Sequence, residues 1–178
     1  MAREALREFQ ARLASRLQSA HATNVAAWLA VEAGSGRYLF PLGQAGEIFP
    51  WTAPTPVPYT QPWFLGVANL RGGLWGVAQL SAFLGEPPSR PPAGPMADAA
   101  REQARLVAFN DVLEVNCALV VDRLVGLRGV EAFATSQAPA EGAPPWLGAT
   151  YRTAQGESWQ ELNLQVLAGQ PEFLSIGA

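Results

Sequence analysis

Residues 65–80 read LGVANLRGGLWGVAQL, two apolar runs separated by the single interruption Asn69-Leu70-Arg71-Gly72. Each run has the length of a β-strand and is too short for an independent helix. Asn69 and Gly72 are residue types that tolerate the unusual backbone angles of a tight turn. The stretch therefore predicts a β-hairpin with Arg71 on a rigid corner. A planar guanidinium that cannot be titrated suits docking to carboxylates or carbonyls of another protein better than it suits chemistry.

The composition is that of an ordinary globular protein. The chain has 178 residues, of which 49% are hydrophobic, enough for one sizeable core or two small ones. A net charge of -3, with 12 scattered arginines and no lysine, argues against nucleic-acid binding. The single Cys117 excludes an internal disulfide and fits a reducing compartment. No apolar stretch approaches the roughly 20 residues of a membrane span, so we expect a cytoplasmic protein without membrane insertion.

Helical periodicity is concentrated near the N-terminus. Within residues 1–21, apolar side chains recur every three or four positions at Leu6, Phe9, Leu13 and Leu17, which predicts an amphipathic helix. The helix either packs on its own domain, the interpretation we favour, or docks to a partner.

Turn chemistry dominates the rest of the chain and predicts a mainly β fold in residues 22–178. Gly34-Ser35-Gly36, Asn110-Asp111 and Ala154-Gln155-Gly156 each separate two segments of strand length, so we expect three further hairpins. Five prolines make residues 50–62 an extended coil. A second proline-rich stretch, residues 86–104, reads as a linker between a first half at about 22–85 and a second at about 105–178. A short helix should close each half, at 79–84 and 164–168.

The sequence contains few of the side-chain arrangements that are typical of catalytic sites. Cys117 lies inside an apolar run and reads as an inert buried thiol. The sequence contains no cysteine and histidine cluster with the spacing of a zinc site, no phosphate-binding loop and no nucleophile elbow. We therefore expect no enzyme activity, no cofactor and no metal. Asp122-Arg123 most simply makes a local ion pair or a turn bond. The alternatives are an enzyme with an unrecognised site and a small-ligand-binding β-barrel rich in aromatic residues.

Several motifs together resemble the CheW-like domains, adaptors of bacterial chemosensory arrays. The Asn69–Gly72 turn before an apolar strand and a short helix resembles the family signature, and further matches follow in the family's order: Tyr38-Leu39-Phe40-Pro41, Glu47-Ile48, and residues 118–124. The likeness covers roughly residues 24–170. The tryptophan-rich coil and the N-terminal helix resemble the branch that serves type IV pili. The chain departs from the family at Gln79, commonly an aspartate, and at Ala118, commonly a glycine.

The resemblance implies two SH3-like five-stranded β-barrels packed together, and a role without an active site. Such an adaptor couples the cytoplasmic tip of a methyl-accepting chemoreceptor to the regulatory domain of a CheA-type histidine kinase. Its contribution is a coupling free energy between two partners. A type IV pilus, or twitching, system is the expected context, and a flagellar or other chemotaxis system is the alternative.

Two groups of residues are candidates for partner binding. The first is the turn Asn69, Leu70, Arg71 and Gly72, where Arg71 either contacts a partner or braces its own domain. The second comprises barrel-edge residues expected to contact the kinase: Glu47, Ile48, Val120, Val121, Asp122 and Leu124. Apolar edges supply affinity and Glu47 supplies specificity. A core position for Ile48 is nearly as plausible on the sequence alone.

Overall fold

The computed structural model describes residues 26–87 and 95–178, so the predicted N-terminal helix lies outside the described residues. Within these ranges the chain is mainly β, as predicted. The strands are β1 (Trp28–Ala33), β2 (Gly36–Pro41), β3 (Ala45–Pro50), β4 (Phe64–Leu70), β5 (Gly73–Gln79), β6 (Arg105–Phe109), β7 (Cys117–Val121), β8 (Arg123–Arg128), β9 (Thr135–Gln137), β10 (Leu147–Arg152) and β11 (Ser158–Leu162). Short helices are α1 (Leu80–Phe83), α2 (Pro95–Gln103), α3 (Leu164–Ala168) and α4 (Pro171–Leu174).

The predicted hairpins are confirmed. The β1–β2, β4–β5 and β10–β11 pairs are antiparallel and joined by short turns. The β6–β7 connection is longer than a tight turn, because a 3-10 turn at Asp111–Leu113 follows Asn110, whose side chain accepts a hydrogen bond from the Val112 amide.

The strands form two sheets, and each sheet takes strands from both halves of the sequence. The six-stranded sheet has the order β8-β1-β2-β11-β10-β9, and the five-stranded sheet has the order β3-β6-β7-β5-β4. Two long-range parallel pairs, β2–β11 and β5–β7, tie the halves together. The expected division into a first barrel at 22–85 and a second at 105–178 therefore differs from the observed sheets, whose members are interleaved along the chain.

The predicted linker at 86–104 also contains a helix. Residues 95–103 form α2, which begins at Pro95, a position where the missing amide hydrogen of proline costs nothing because the first helical amides have no partner within the helix. The short helices predicted at the ends of the two halves are present as α1 and α3. Asn163 caps α3 by accepting a hydrogen bond from the Val166 amide.

Among the residues that the structure describes, buried apolar side chains form three clusters. One contains only residues of the six-stranded sheet, centred on Trp28 and Trp159, and another belongs chiefly to the five-stranded sheet, centred on Val77 and Leu106. The largest cluster, here called the shared core, draws on both sheets and on α1, α3 and α4. Because apolar burial is the dominant stabilising term in folding, the shared core holds the two sheets together as one unit.

The proline-rich stretch predicted as an extended coil at residues 50–62 follows β3 and is fixed to β4, but it bends at residues 58–59, where Tyr59 has a φ of 59°. Thr55 and Val67 exchange two backbone hydrogen bonds of 2.7 and 2.9 Å. This close approach requires Gly66, with φ +131°, because a Cβ there would lie 2.0 Å from the Thr55 carbonyl oxygen. The helices within residues 26–87 and 95–178 all fall short of the length and apolar character that a bilayer crossing demands.

Candidate functional site

The β4–β5 turn presents Arg71 on a strained and well-braced corner. Leu70 pairs with Gly73, so Arg71 and Gly72 are the two turn residues, with φ of 48° and 82°. Positive φ at both positions is typical of the type I′ turn, whose twist matches that of the strands. The sequence assigned the unusual angles to Asn69 and Gly72; instead Asn69 stays in the strand, and its Oδ1 accepts a hydrogen bond of 2.9 Å from the Gly72 amide.

Arg71 makes an exposed ion pair with Glu47. Its Nη2 lies 2.7 Å from Glu47 Oε1, while the two side chains remain 76% and 40% exposed. The short distance indicates a charge-assisted hydrogen bond, and the exposure leaves most of the guanidinium available to a second carboxylate or carbonyl. One residue from each predicted group of partner-binding residues, Arg71 and Glu47, thus meets at this contact.

Exposed apolar side chains adjoin the ion pair in the chain. Ile48 follows Glu47 on edge strand β3 and is 38% exposed, so it lies on the surface and not in the core. Leu74 is 66% exposed and pairs with Asn69 in the β4–β5 hairpin. We call the ion pair of Glu47 and Arg71 the Arg71–Glu47 face; Ile48 and Leu74 are exposed residues near it in the chain. A depression of about 160 Å³ beside Glu47 is lined by Phe49 and Trp75, among others.

Four of the predicted partner-binding residues belong wholly or partly to the interior. Leu70, Val120 and Val121 are at most 8% exposed, so their side chains pack inside the protein and are corrected here to core residues. Leu124 is half-buried against the shared core. A continuous apolar run is compatible both with a buried strand and with an exposed apolar edge strand. For this reason the surface position predicted for these residues could not be distinguished from a core position.

Asp122 has a structural role at the corner between β7 and β8. Its Oδ2 accepts a hydrogen bond of 2.6 Å from the Gly34 amide in the β1–β2 turn, and its own amide donates to the Glu32 carbonyl at 2.8 Å. The neighbouring Arg123 pairs with Glu32, Nη2 to Oε2 at 2.8 Å. The turn bond expected of Asp122 is therefore present, whereas the ion pair joins Arg123 to a different carboxylate.

A second carboxylate holds the same β1–β2 turn. Glu86, which follows α1, accepts hydrogen bonds from the Ser35 amide at 3.0 and 3.1 Å and from the Ser35 hydroxyl. Burial raises the pKa of the nearby Tyr38, with a smaller contribution from the Glu86 charge. Asp122 and Glu86 together fix one wall of a groove.

The groove has a volume of about 950 Å³ and was not foreseen from the sequence. Its polar wall is Arg37, paired at 3.5 Å with both Glu32 and Glu157, and its apolar side includes Phe83 and Trp146. The remaining lining residues come from the β1–β2 hairpin, the end of α1, the loop before β10 and the β10–β11 hairpin: Glu32, Gly34, Ser35, Gly36, Tyr38, Leu84, Pro144, Leu147, Thr150, Ser158 and Gln160. The long-range β2–β11 pairing brings the two hairpins together, and a local sequence signal does not reveal such a pairing.

Within residues 26–87 and 95–178, the potentially reactive Cys117 lies away from both surfaces. Cys117 is buried, and burial raises the pKa of its thiol to about 12, so the thiol stays protonated and inert at neutral pH. Among the described side chains, no group of three or more His, Cys, Asp or Glu residues could hold a metal ion. Gln79 and Ala118, which depart from the family pattern, are both buried, so these departures change the interior and leave the exposed residues of the Arg71–Glu47 face as they are.

Comparison with known proteins gives a consistent assignment. Protein PilI of Pseudomonas aeruginosa is 29% identical over 146 residues, covering 80% of this chain and 75% of that protein. The chemotaxis protein CheW of Rhizobium meliloti is 31% identical over 93 residues, covering 49% of this chain and 60% of that protein. The crystal structure of the scaffolding protein TtCheW from Thermoanaerobacter tengcongensis superimposes with a TM-score of 0.59 at 14% identity, covering 77% of this chain and 88% of that one.

At 14% sequence identity, the likeness to TtCheW shows a shared fold and nothing more. The family model described as "CheW-like domain" matches residues 27–172, nearly the whole range over which the motifs resemble that family. The motif order, the paired sheets and this match agree, and the chain belongs to the CheW-like domain family.

Proposed function

We propose that this protein is a non-enzymatic adaptor that couples the cytoplasmic tip of a methyl-accepting chemoreceptor to the regulatory domain of a CheA-type histidine kinase, in a chemosensory pathway controlling type IV pili. The scaffold class follows from membership of the CheW-like family, and the specific partners are the proposal. The observation that carries it is the exposed Arg71–Glu47 pair on a rigid turn.

The Arg71–Glu47 face has the composition of a protein-binding site. A charged pair fixes orientation, and Ile48 and Leu74, exposed residues near the pair in the chain, offer apolar area to a partner that reaches them. The type I′ turn presents the guanidinium in one backbone conformation, so little conformational entropy is lost when a partner binds. We assign this face to the kinase regulatory domain.

An adaptor needs a second surface, and the groove supplies one. It lies against the six-stranded sheet, whereas the Arg71–Glu47 face belongs to the five-stranded sheet. Its apolar side with a rim of charged and hydroxyl side chains suits a segment of protein that is apolar on one face. We assign the groove to the receptor tip.

The pilus context rests on the relative with the longest match reported above. PilI matches 80% of the chain, whereas the CheW match from Rhizobium meliloti extends over 49%. A flagellar or other chemotaxis pathway is the second candidate, because the CheW relatives are similarly identical where they do match.

Calorimetric titration with purified partners tests the proposal. The full chain is titrated with the regulatory domains of the pilus-type and flagellar-type kinases of the same organism, and with a soluble receptor-tip fragment. Arg71→Ala should weaken binding of the pilus-type regulatory domain by about 1–3 kcal/mol. Arg152→Ala, which removes another exposed arginine on β10, should leave binding unchanged.

Other outcomes separate the alternatives. Preference for the flagellar-type kinase would move the protein to the second pathway. A small molecule found in the purified protein by native mass spectrometry, together with no binding to either partner, would replace the adaptor with a ligand-binding barrel.

A further inference from the structure

We infer that the depression beside Glu47 is a binding site for an arginine side chain of the protein that docks on the Arg71–Glu47 face. The depression, here called the Trp75 depression, is lined by Glu47, Phe49, Trp75, Phe109 and Asp111, among others. The inference deepens the proposed function and rests on it, because we assign the adjoining face to the kinase regulatory domain. It names the side chain that this domain supplies to the contact.

A β-bulge on the edge strand β3 shapes the depression. The register between β3 and β6 shifts by one residue between Ala45 and Ile48, so Gly46 and Glu47 together face one residue of β6. A Cβ at Gly46 would lie 2.6 Å from the Phe109 carbonyl oxygen, so this close approach requires glycine. Bulges are frequent next to functional sites because they redirect a side chain, and here Glu47 contributes to the lining of the depression.

Aromatic rings make up much of the lining. Phe49 and Trp75 are half-buried and pack against the apolar cluster centred on Val77 and Leu106, so their rings are held in place before a partner binds. Phe109 is buried. Aromatic rings attract cations placed over their faces, and tryptophan does so most strongly. The lining therefore favours a cationic side chain over an acidic one.

The charged groups of the lining are both carboxylates. Glu47 is paired with Arg71, whereas the exposed Asp111 carboxylate takes part in no hydrogen bond or ion pair within residues 26–87 and 95–178. The depression thus combines aromatic rings with a negative charge that the described residues do not compensate. Arginine matches both features, because its planar, weakly hydrated guanidinium stacks on rings and binds a carboxylate through two N–H groups.

The size of the depression restricts the occupant to one side chain. Its volume is about 160 Å³, below the roughly 300–1,000 Å³ that is typical of small-molecule sites. Leu74 and Val112, next to Trp75 and Asp111 in the chain, are 66% and 74% exposed. Apolar area is therefore available to the rest of a protein that inserts an arginine.

Nuclear magnetic resonance on the full chain labelled with nitrogen-15 tests the chemistry of the depression. The probes are N-acetyl-L-arginine amide and N-acetyl-L-citrulline amide, which has nearly the same shape and no charge. The arginine probe should shift the indole Nε1–H resonance of Trp75, which is assigned by its loss in Trp75→Phe. At equal concentration the citrulline probe should shift it about threefold less, because only the guanidinium forms an ion pair with Asp111.

Two variants that remove the same charge show where the arginine probe binds. Asp111→Asn should weaken its affinity about threefold, the effect of losing an exposed ion pair. Glu141→Gln changes an exposed carboxylate outside the lining and should leave the affinity unchanged.

Calorimetric titration with the kinase regulatory domain identifies the occupant. Asp111→Asn should lower the affinity for this domain about fivefold or more, and Glu141→Gln should not lower it. One surface arginine of the domain, replaced by alanine, should add little to the effect of Asp111→Asn in a double-mutant cycle, because the two changes remove the same contact.

The results separate the inference from the proposed function. Equal shifts with both probes, or an unchanged Trp75 resonance, would overturn the inference, while continued binding of the regulatory domain would support the adaptor function. An arginine-specific shift combined with kinase affinity that Asp111→Asn does not change would also overturn it, because the kinase would not be the occupant. A regulatory domain that fails to bind the unmodified chain would overturn the proposed function, and the two probes would still decide whether the depression binds a guanidinium.

Discussion

Arg71 Nη2 lies 2.7 Å from Glu47 Oε1, although their strands are far apart in the order of the five-stranded sheet. Glu47 belongs to β3 at one edge, and Arg71 follows β4 at the other. In a flat sheet these edges would be roughly 19 Å apart, far beyond the reach of two side chains. The contact therefore requires the sheet to curl towards a barrel, and the ion pair spans the opening between its edges.

Arg71→Gly separates the role of the turn from the role of the guanidinium. Glycine adopts the left-handed φ of 48° without the cost of about 1–2 kcal/mol that other residues incur there. This gain offsets the loss of an exposed ion pair worth about 0–1 kcal/mol. The free energy of unfolding should therefore stay within about 1 kcal/mol of the unmodified protein in urea titrations, while kinase binding is weakened to the same extent as in Arg71→Ala.

Arg71→Val tests the same turn with a residue that disfavours a positive φ. A β-branched residue at a positive φ should destabilise the protein by about 1–2 kcal/mol. Equal stability of the glycine and valine variants would contradict the type I′ assignment.

Ile48→Glu should give a folded protein that no longer binds the kinase regulatory domain. Ile48 is 38% exposed, so a carboxylate there remains hydrated, while a partner that buries the site meets an unpaired charge. Its register partner Val107 is fully buried, and Val107→Glu should prevent folding. Circular dichroism followed by calorimetric titration checks both variants. A folded Ile48→Glu protein with unchanged affinity would remove Ile48 from the interface.

The free energy of unfolding should decrease at alkaline pH because the thiol of Cys117 is buried. Burial raises the pKa of the folded thiol to about 12, whereas an unfolded thiol titrates near about 8.5. Below about pH 8.5 both states hold the proton and the stabilising contribution is fully present. As the pH rises towards about 12, the unfolded state loses its proton first, so this contribution is lost at up to about 1.4 kcal/mol per pH unit.

Urea titrations at pH 8 and pH 9.5 measure this loss. Cys117→Ala should show a smaller decrease than the unmodified protein over the same interval. The interval ends below the ordinary pKa of tyrosine, and burial raises the pKa values of Tyr38 and Tyr151 further, so these groups contribute little to the difference. The same decrease in both proteins would contradict the assignment to Cys117.

Phe173 should be among the most costly residues to truncate. It is 3% exposed, stacks on Trp63 with centroids 5.5 Å apart at 9°, and contacts Phe83 and Phe109. Phe173→Ala leaves a cavity among these rings and should cost about 3–5 kcal/mol in urea unfolding. The neighbouring Leu174 is 52% exposed, and Leu174→Ala should cost well under about 1 kcal/mol.

Local signals explain what could be predicted from the sequence. Glycine, asparagine and proline fix backbone angles within a few residues, so the hairpins around Gly34 and Gly156 and the short helices ending near Gly85 and Gly169 were predictable. The pairing of Tyr38 with Gln160 and of Val77 with Ala118 depends on contacts between distant segments, for which one sequence holds no local signal. The interleaved sheets and the groove follow from those pairings.

The candidate surface was predictable in its members but not in its geometry. The sequence indicated Glu47 and Arg71 separately, and the curl of the sheet brings them together. Burial was harder to predict: Val120 and Ile48 are both apolar strand residues, yet one is 8% and the other 38% exposed. β7 lies between two strands and β3 at an edge, and that difference decides which side chain is covered.

Ser158→Arg should block receptor binding selectively. Ser158 is exposed and lines the groove, so a long cationic side chain there occupies the space without disturbing the core. Binding of the receptor-tip fragment should fall by about tenfold or more, because the groove loses volume and its partner must displace a hydrated charge. Kinase binding should be unchanged, since the Arg71–Glu47 face lies on the other sheet. Gln155→Arg, in the adjoining β10–β11 turn and outside the groove lining, is the matched control and should bind both partners normally. If Ser158→Arg retains full receptor affinity, or loses kinase affinity to the same extent, the two partners do not use separate surfaces as assigned.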